Sequence, residues 1–113
     1  MQYFTVYVTS QTREQAVKIG KILLDRRLVA CVNIIPGMQS IYRWEGAVIE
    51  DTECVLIAKT KENLVNSVIR AVKENHSYEC PCVVAWPISN GNPDYLRWIG
   101  ESTLQQSCSQ QDS

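Results

Sequence analysis

A histidine and two cysteines lie close together late in the chain, at His76, Cys80 and Cys82. Only one residue separates the two cysteines, so on an extended segment both thiols would point the same way. Thiolate sulfur and imidazole nitrogen are ligands that suit soft ions such as copper. The spacing predicts a metal site formed by these three residues, although zinc sites more often contain Cys-x-x-Cys pairs or larger His/Cys clusters.

The same residues also have a structural interpretation. Cys82 opens an apolar run and would pack in the core, while a protonated His76 at a helix C-terminus would interact favourably with the helix dipole. A third interpretation is catalysis, with Glu79 orienting His76 as an acid or base. No recognisable motif places a hydroxyl or thiol nucleophile beside this pair, so we predict no catalytic residue and no enzyme activity.

The first half of the chain contains the periodic patterns of regular elements. Residues 2–9 alternate aromatic and β-branched side chains with a period of two, which predicts a strand. Thr12 and Gln15 have the spacing of a capping box and begin a helix predicted over residues 12–27. Residues 28–35 are almost continuously apolar, which is typical of a buried strand.

The middle of the chain predicts a hairpin. The buried strand is expected to end at Pro36-Gly37. Two short strand-like segments, residues 40–44 and 47–49, then flank Glu45-Gly46, whose glycine suits a tight turn. Residues 53–59 predict a further strand.

The C-terminal half predicts two more helices and one strand. Thr60 can cap a helix whose apolar residues repeat at helical spacing. Residues 82–88 form a short strand with a proline near its end. Asn92, followed by a proline and an aspartate, is a favourable N-cap for a last helix that ends near Gly100.

The element order strand, helix, strand, strand, helix, strand indicates an α+β, ferredoxin-like fold built on a split βαβ unit, with an inserted β-hairpin and a short C-terminal helix. We expect one domain over residues 1–104 and a polar, disordered tail over residues 105–113. Two helices cover only one face of a sheet, yet the strands carry apolar residues on both faces. Oligomerisation is the economical explanation.

Composition excludes several classes of partner. The 113 residues are 45% hydrophobic and carry a formal net charge of −1, which does not favour nucleic-acid binding. No apolar run approaches the roughly 20 residues of a membrane helix, and no Gly-rich phosphate loop is present. The five cysteines are odd in number and lie mostly within or beside apolar runs, so we expect reduced thiols and a cytoplasmic protein.

Several sequence blocks resemble the CutA (divalent-cation tolerance) family. They are residues 28–37, 40–46 and 57–60, and residues 76–81, which are similar to that family's His-Pro-Tyr-Glu-x-Pro-Glu segment. The resemblance covers about residues 3–103. It implies a homotrimer with a ferredoxin-like fold similar to the PII signal transducers, and a role in tolerance to divalent cations such as copper.

The chain departs from the family pattern near the predicted metal site. Ser77 replaces a proline, and Cys82 replaces a glutamate. Copper binding in bacterial relatives is attributed to one cysteine and two consecutive histidines, and the matching positions here are Val8, Asn75 and His76. The resemblance therefore implies no certain cofactor, and copper or another divalent cation remains an expectation.

The similarity to PII proteins implies a second function, the binding of a small effector in clefts between subunits. The residues expected near such clefts, besides His76, are Tyr42, Trp44, Lys59, Tyr78, Glu79 and Asp94. The trimer interface is expected to contain Ile41, Trp44, Trp98 and Ile99, with the hairpin reaching a neighbouring subunit. A trimeric scaffold or adaptor without catalysis is a further alternative.

Overall fold

The structure, a computed structural model, describes residues 1–105. Its strands and helices follow in the order β1 Tyr3–Ser10, α1 Arg13–Asp25, β2 Cys31–Trp44, β3 Ala47–Lys61, α2 Val65–Asn75, β4 Val83–Pro87 and α3 Pro93–Glu101, with a 3₁₀ turn at Glu62–Leu64 before α2. All strand pairs are antiparallel and the sheet order is β2-β3-β1-β4. This arrangement confirms the predicted ferredoxin-like α+β fold.

One face of the sheet forms the hydrophobic core with α1 and α2. Val6 and Val8 of β1 point to this face and are 0% and 1% exposed. They pack in one cluster with apolar residues of both helices, including Leu23 and Val72, and with Leu56 of β3. The period-two alternation of β1 therefore positions Tyr3, Thr5, Tyr7 and Thr9 on the opposite face.

Two of the predicted helix starts are confirmed, and a third is wrong. Thr12 Oγ1 accepts a hydrogen bond from the Gln15 amide at 3.1 Å, and Asn92 Oδ1 accepts one from the Asp94 amide at 3.0 Å. Thr60 does not cap a helix. It is fully buried near the end of β3 and donates to the Leu28 carbonyl at 2.6 Å, because the strand runs further than its apolar pattern indicated.

The predicted boundaries of β2 need correction at both ends. Residues 28–30 precede the strand, although Leu28 and Val29 are buried. Pro36-Gly37 does not end it, because a β-bulge between Ile35 and Met38 carries the strand through to Trp44, with Gly37 at φ 79°. Proline is tolerated there because β2 is an edge strand.

The hairpin is an extension of β2 and β3, not a separate insertion. The pairing of the two strands continues to Trp44 and Ala47. Glu45 and Gly46 form the turn with φ angles of 51° and 84°, the positive values that a two-residue type I′ turn requires. The molecule is accordingly elongated, measuring 46 × 30 × 24 Å.

The second face of the sheet is only partly covered. Helix α3 lies at one end of it, where the Tyr95 hydroxyl is 3.5 Å from Cys31 Sγ. Further along the same face Ile35, Val84 and Trp86 are 52%, 49% and 47% exposed. We call this region, defined by these three residues, the open face.

The segment after α3 is bound to the body of the domain through Leu104. Lys61 Nζ donates to the Leu104 carbonyl at 2.7 Å, and the Leu104 amide donates to the Arg27 carbonyl at 2.9 Å. Gln105 Nε2 donates to the Thr103 carbonyl at 2.7 Å. The predicted disordered tail otherwise falls on residues 106–113, which lie outside the described residues. Within residues 1–105, no helix is long and apolar enough to cross a membrane.

Candidate functional site

A cavity of about 570 Å³ lies beside the base of the hairpin, on the same side of the sheet as the open face and at the end opposite α3. Twelve residues from β1, β2, β3 and the segment before β4 line it. They are Tyr7, Thr9, Met38, Ser40, Ile41, Tyr42, Trp44, Glu53, Tyr78, Glu79, Cys80 and Cys82.

The β-bulge in β2 determines which side chains reach this cavity. Ile35 is paired with Val55 and Met38 with Glu53, so β2 uses one residue more than β3 over this stretch. A one-residue shift moves every following side chain to the other face of a strand. The bulge therefore places Met38 and Ser40 on the same side of the sheet as Glu53.

Glu53 provides a buried carboxylate on the cavity wall. The residue is 7% exposed, and its Oε2 accepts a hydrogen bond from the Tyr78 hydroxyl at 2.7 Å. Burial, and then this hydrogen bond to Glu53, raise the pKa of Tyr78. Among the described residues only Oε2 has a hydrogen-bond partner, so the second carboxylate oxygen is left for another donor.

The negative charge of this region extends along β3 towards the hairpin. Desolvation, and then the charges of Asp51 and Glu53, raise the pKa of Tyr42. Glu79 adds a second, exposed carboxylate to the lining. No lysine, arginine or histidine is found among the described residues that line the cavity. The site is therefore aromatic and acidic.

His76 holds the segment before β4 against β1. Its Nε2 lies 2.6 Å from the Thr9 carbonyl, and its Nδ1 accepts a hydrogen bond from the Tyr78 amide at 3.1 Å. An acceptor at Nδ1 leaves the proton on Nε2, which donates to Thr9. Both ring nitrogens are thus engaged within the chain, and neither contact involves Glu79. His76 is also the C-terminal cap residue of α2, as predicted, but a ring that accepts a hydrogen bond at Nδ1 is not the protonated form on which the predicted dipole interaction depends.

The two cysteines of the predicted metal site both line the cavity. Cys80 and Cys82 are free and exposed, so the expectation that Cys82 packs in the core is wrong. β4 begins at Val83, but the Cys82 carbonyl still accepts a hydrogen bond from the Thr9 amide at 3.3 Å. Val83 is paired with the core residue Val8, so strand alternation turns Cys82 to the opposite face. Met38 adds a third sulfur to the same lining.

The three predicted metal ligands do not form one cluster. Residues 1–105 contain no group of three or more His, Cys, Asp and Glu side chains arranged to hold a metal ion. The positions that match the copper site of relatives are not ligands either, since Val8 is in the core and Asn75 Nδ2 donates to the Ala71 carbonyl at 2.8 Å. Metal binding through Cys80 and Cys82 stays a prediction.

The cavity contains four of the six residues predicted for an effector cleft, namely Tyr42, Trp44, Tyr78 and Glu79. The other two lie elsewhere. Lys59 is paired with Thr5 and Cys31 near α3, and Asp94 forms an ion pair with Arg97 at 3.0 Å on α3 itself.

Sequence reasoning missed five cavity residues, Tyr7, Thr9, Met38, Ser40 and Glu53. The alternation of β1 and β3 could have indicated Tyr7, Thr9 and Glu53, because they share one face of the sheet. Met38 and Ser40 required knowledge of the bulge.

Three of the four residues predicted for the trimer interface expose apolar surface. Ile41, Trp44 and Trp98 are 63%, 45% and 41% exposed. Ile99 is 0% exposed within its own chain and so has no surface to offer a neighbour. The prediction for Ile99 is wrong, because α3 packs on its own chain with this residue facing inward and Trp98 facing outward.

Comparison with known proteins gives a consistent result. The model of the family described as CutA1 divalent ion tolerance protein matches residues 4–102. The divalent-cation tolerance protein CutA of Thermus thermophilus is 46% identical over 98 residues, which are 87% of this chain and 95% of that protein. The chloroplastic protein CutA 1 of Oryza sativa is 45% identical over 100 residues, 88% of this chain and 56% of that protein. The chain thus spans about half the length of the plant relatives.

Solved structures agree with the sequence comparison. The crystal structure of CutA1 from Oryza sativa superposes with a TM-score of 0.90 at 42% identity and covers 93% of this chain and 96% of that one. The divalent cation tolerance protein from Thermus thermophilus gives a TM-score of 0.87 at 44% identity and covers 89% and 98%.

Proposed function

Since the chain belongs to the CutA1 divalent ion tolerance family, we propose that it acts in cation tolerance as a cytoplasmic homotrimer without catalytic activity. In this proposal Cys80 and Cys82 bind a soft metal ion such as copper. The metal is cargo, and its capture lowers the concentration of the free ion.

The observation that carries the proposal is the position of the two thiols. Cys80 and Cys82 are free, exposed and part of one cavity wall, which a dissolved ion can reach directly. Sulfur ligands favour Cu(I) over hard cations such as Mg²⁺, which prefer oxygen. Both thiols must also be reduced, which agrees with a cytoplasmic location. Relatives named chloroplastic and periplasmic show that location varies within the family.

The homotrimer is supported by the open face. Ile35, Val84 and Trp86 expose apolar surface on a sheet whose opposite face is covered by α1 and α2. Such a surface is typical of a protein interface, and closed symmetric assembly covers it on every subunit.

Native mass spectrometry under reducing conditions tests the metal proposal. We expect the protein to take up one Cu(I) ion per chain and the double variant Cys80→Ser/Cys82→Ser to take up none. Cys31→Ser, which removes a thiol outside the cavity, is the matched control and should bind like the wild type. Equal uptake by the double variant, or no uptake by the wild type, would overturn the assignment.

A second candidate function, the binding of a small effector, is supported by a different observation. The cavity is large enough for a small molecule, and it combines aromatic rings with a few polar groups, as ligand sites usually do. This function requires neither thiol.

A further inference from the structure

We infer that the cavity beside the hairpin is a binding site for an organic cation, a substituted ammonium group carried on an apolar body. This inference rests on the second candidate function and assigns its ligand a chemical class. It names a different ligand from the soft metal ion of the main proposal, and it depends on different residues.

The first argument is charge. Glu53 is 7% exposed and therefore 93% buried. One of its carboxylate oxygens has no hydrogen-bond partner among the described residues. A buried carboxylate without a cationic partner is costly, and a positive ligand would remove that cost. Glu79 contributes a second negative charge, and no basic side chain lines the described wall. An anionic effector such as a nucleotide would meet repulsion instead.

The second argument is the chemistry of the wall. Tyr7, Tyr42, Trp44 and Tyr78 line the cavity together with the thioether of Met38. Aromatic rings attract cations through their negative faces, and this attraction is greatest for weakly hydrated cations such as quaternary ammonium groups. The same rings and the thioether supply apolar surface for the body of the ligand.

The composition of the site argues against a hard divalent cation. Calcium takes six to eight oxygen ligands, and magnesium requires near-octahedral oxygen coordination. The lining has two carboxylates, and residues 1–105 contain no three-residue metal group. Aromatic rings would contribute nothing to the coordination of such an ion.

Calorimetry on the assembled protein tests the inference with three probes of similar size. Benzyltrimethylammonium is the cation, 3-phenylpropionate is the anion and benzyl alcohol is the neutral molecule. We expect only the cation to bind measurably. Binding of the anion or the alcohol with equal affinity would support an effector cavity but overturn its cationic selectivity. Heat from none of the three would overturn the inference.

Two variants locate the binding site. Glu53→Gln removes the negative charge but keeps an oxygen that can accept a hydrogen bond from Tyr78. It should lower the affinity for benzyltrimethylammonium about tenfold. Trp44→Leu, at a residue 45% exposed in the single chain, should weaken binding of the cation roughly fivefold in a variant that sedimentation velocity shows to be assembled like the wild type, since Trp44 is also predicted at the trimer interface. Glu74→Gln, which removes one negative charge on α2 outside the cavity, is the control and should bind like the wild type. Unchanged affinity in Trp44→Leu, or an equal loss in Glu74→Gln, would contradict the assignment.

The same measurement separates this inference from the metal proposal. The Cys80→Ser/Cys82→Ser variant should lose Cu(I) uptake and keep the affinity for benzyltrimethylammonium. Cation binding that requires both thiols would overturn the inference, because it assigns recognition to Glu53 and the aromatic rings.

Discussion

The Tyr78 hydroxyl is the hydrogen-bond donor to Glu53 Oε2, at 2.7 Å, and Glu53 is largely buried. Removing the donor would leave an oxygen of this buried carboxylate without a hydrogen-bond partner. We expect Tyr78→Phe to lower the free energy of unfolding by about 1–2 kcal/mol, as measured by urea denaturation. Tyr42→Phe also removes a tyrosine hydroxyl, but one with no described hydrogen bond. It should lower the free energy of unfolding by less than about 0.5 kcal/mol.

The pH dependence gives an independent check on this pair. Burial and the hydrogen bond to Glu53 raise the pKa of Tyr78 in the folded protein. Stability from a raised pKa is complete below the unfolded pKa of about 10 and is lost as the pH rises towards the folded value. The stability difference between wild type and Tyr78→Phe should therefore stay constant up to about pH 10 and shrink above it. A difference that grows above pH 10 would contradict the assigned interaction.

The site illustrates what sequence reasoning can and cannot predict at the residue scale. Tyr42, Trp44, Tyr78 and Glu79 were predicted near a ligand cleft, and all four line one cavity. The partnership of Glu53 with Tyr78 was not predicted. The two residues are 25 positions apart, and Glu53 stands at the start of an apolar run that gives no sign of a buried charge.

At the element scale, most strands and helices could be predicted because their periodicity is local. The element order and the caps at Thr12 and Asn92 depend on neighbouring residues alone. The course of β2 through Pro36-Gly37 could not be predicted in the same way. Proline and glycine usually end a strand, and only the edge position of β2 in the assembled sheet makes the bulge acceptable.

Two substitutions in the hairpin turn should change the free energy of unfolding in opposite directions. Glu45 and Gly46 both have positive φ, and asparagine tolerates this conformation better than glutamate does. Glu45→Asn should raise the free energy of unfolding by about 0.5 kcal/mol, whereas Gly46→Ala should lower it by about 1 kcal/mol. Thermal unfolding of the two variants beside the wild type measures both effects.

Faster amide hydrogen exchange confined to the ends of β2 and β3 in Gly46→Ala would place its effect at the turn. Equal stability of both variants would mean that the turn geometry does not control the hairpin.

At the scale of the whole molecule, the two faces of the sheet have different degrees of cover. The core face is packed by α1 and α2, while the open face has α3 at one end and the cavity at the other. The sequence predicted uncovered apolar residues on the second face, because two helices cannot cover both. It could not show that Ile99 is buried in its own chain, since this depends on the tertiary packing of α3.

The proposed homotrimer predicts that a charge on the open face prevents assembly. Val84 is 49% exposed in the single chain, so Val84→Asp should leave the fold of one subunit intact. In the assembly that aspartate would be buried without a partner, a cost of several kcal/mol per interface. Sedimentation velocity should show a trimer for the wild type and a monomer for Val84→Asp. Leu24→Asp, at a residue 39% exposed on α1, is the matched control and should remain trimeric. A trimeric Val84→Asp variant would place the interface elsewhere, and a monomeric wild type would remove the trimer from the proposed function.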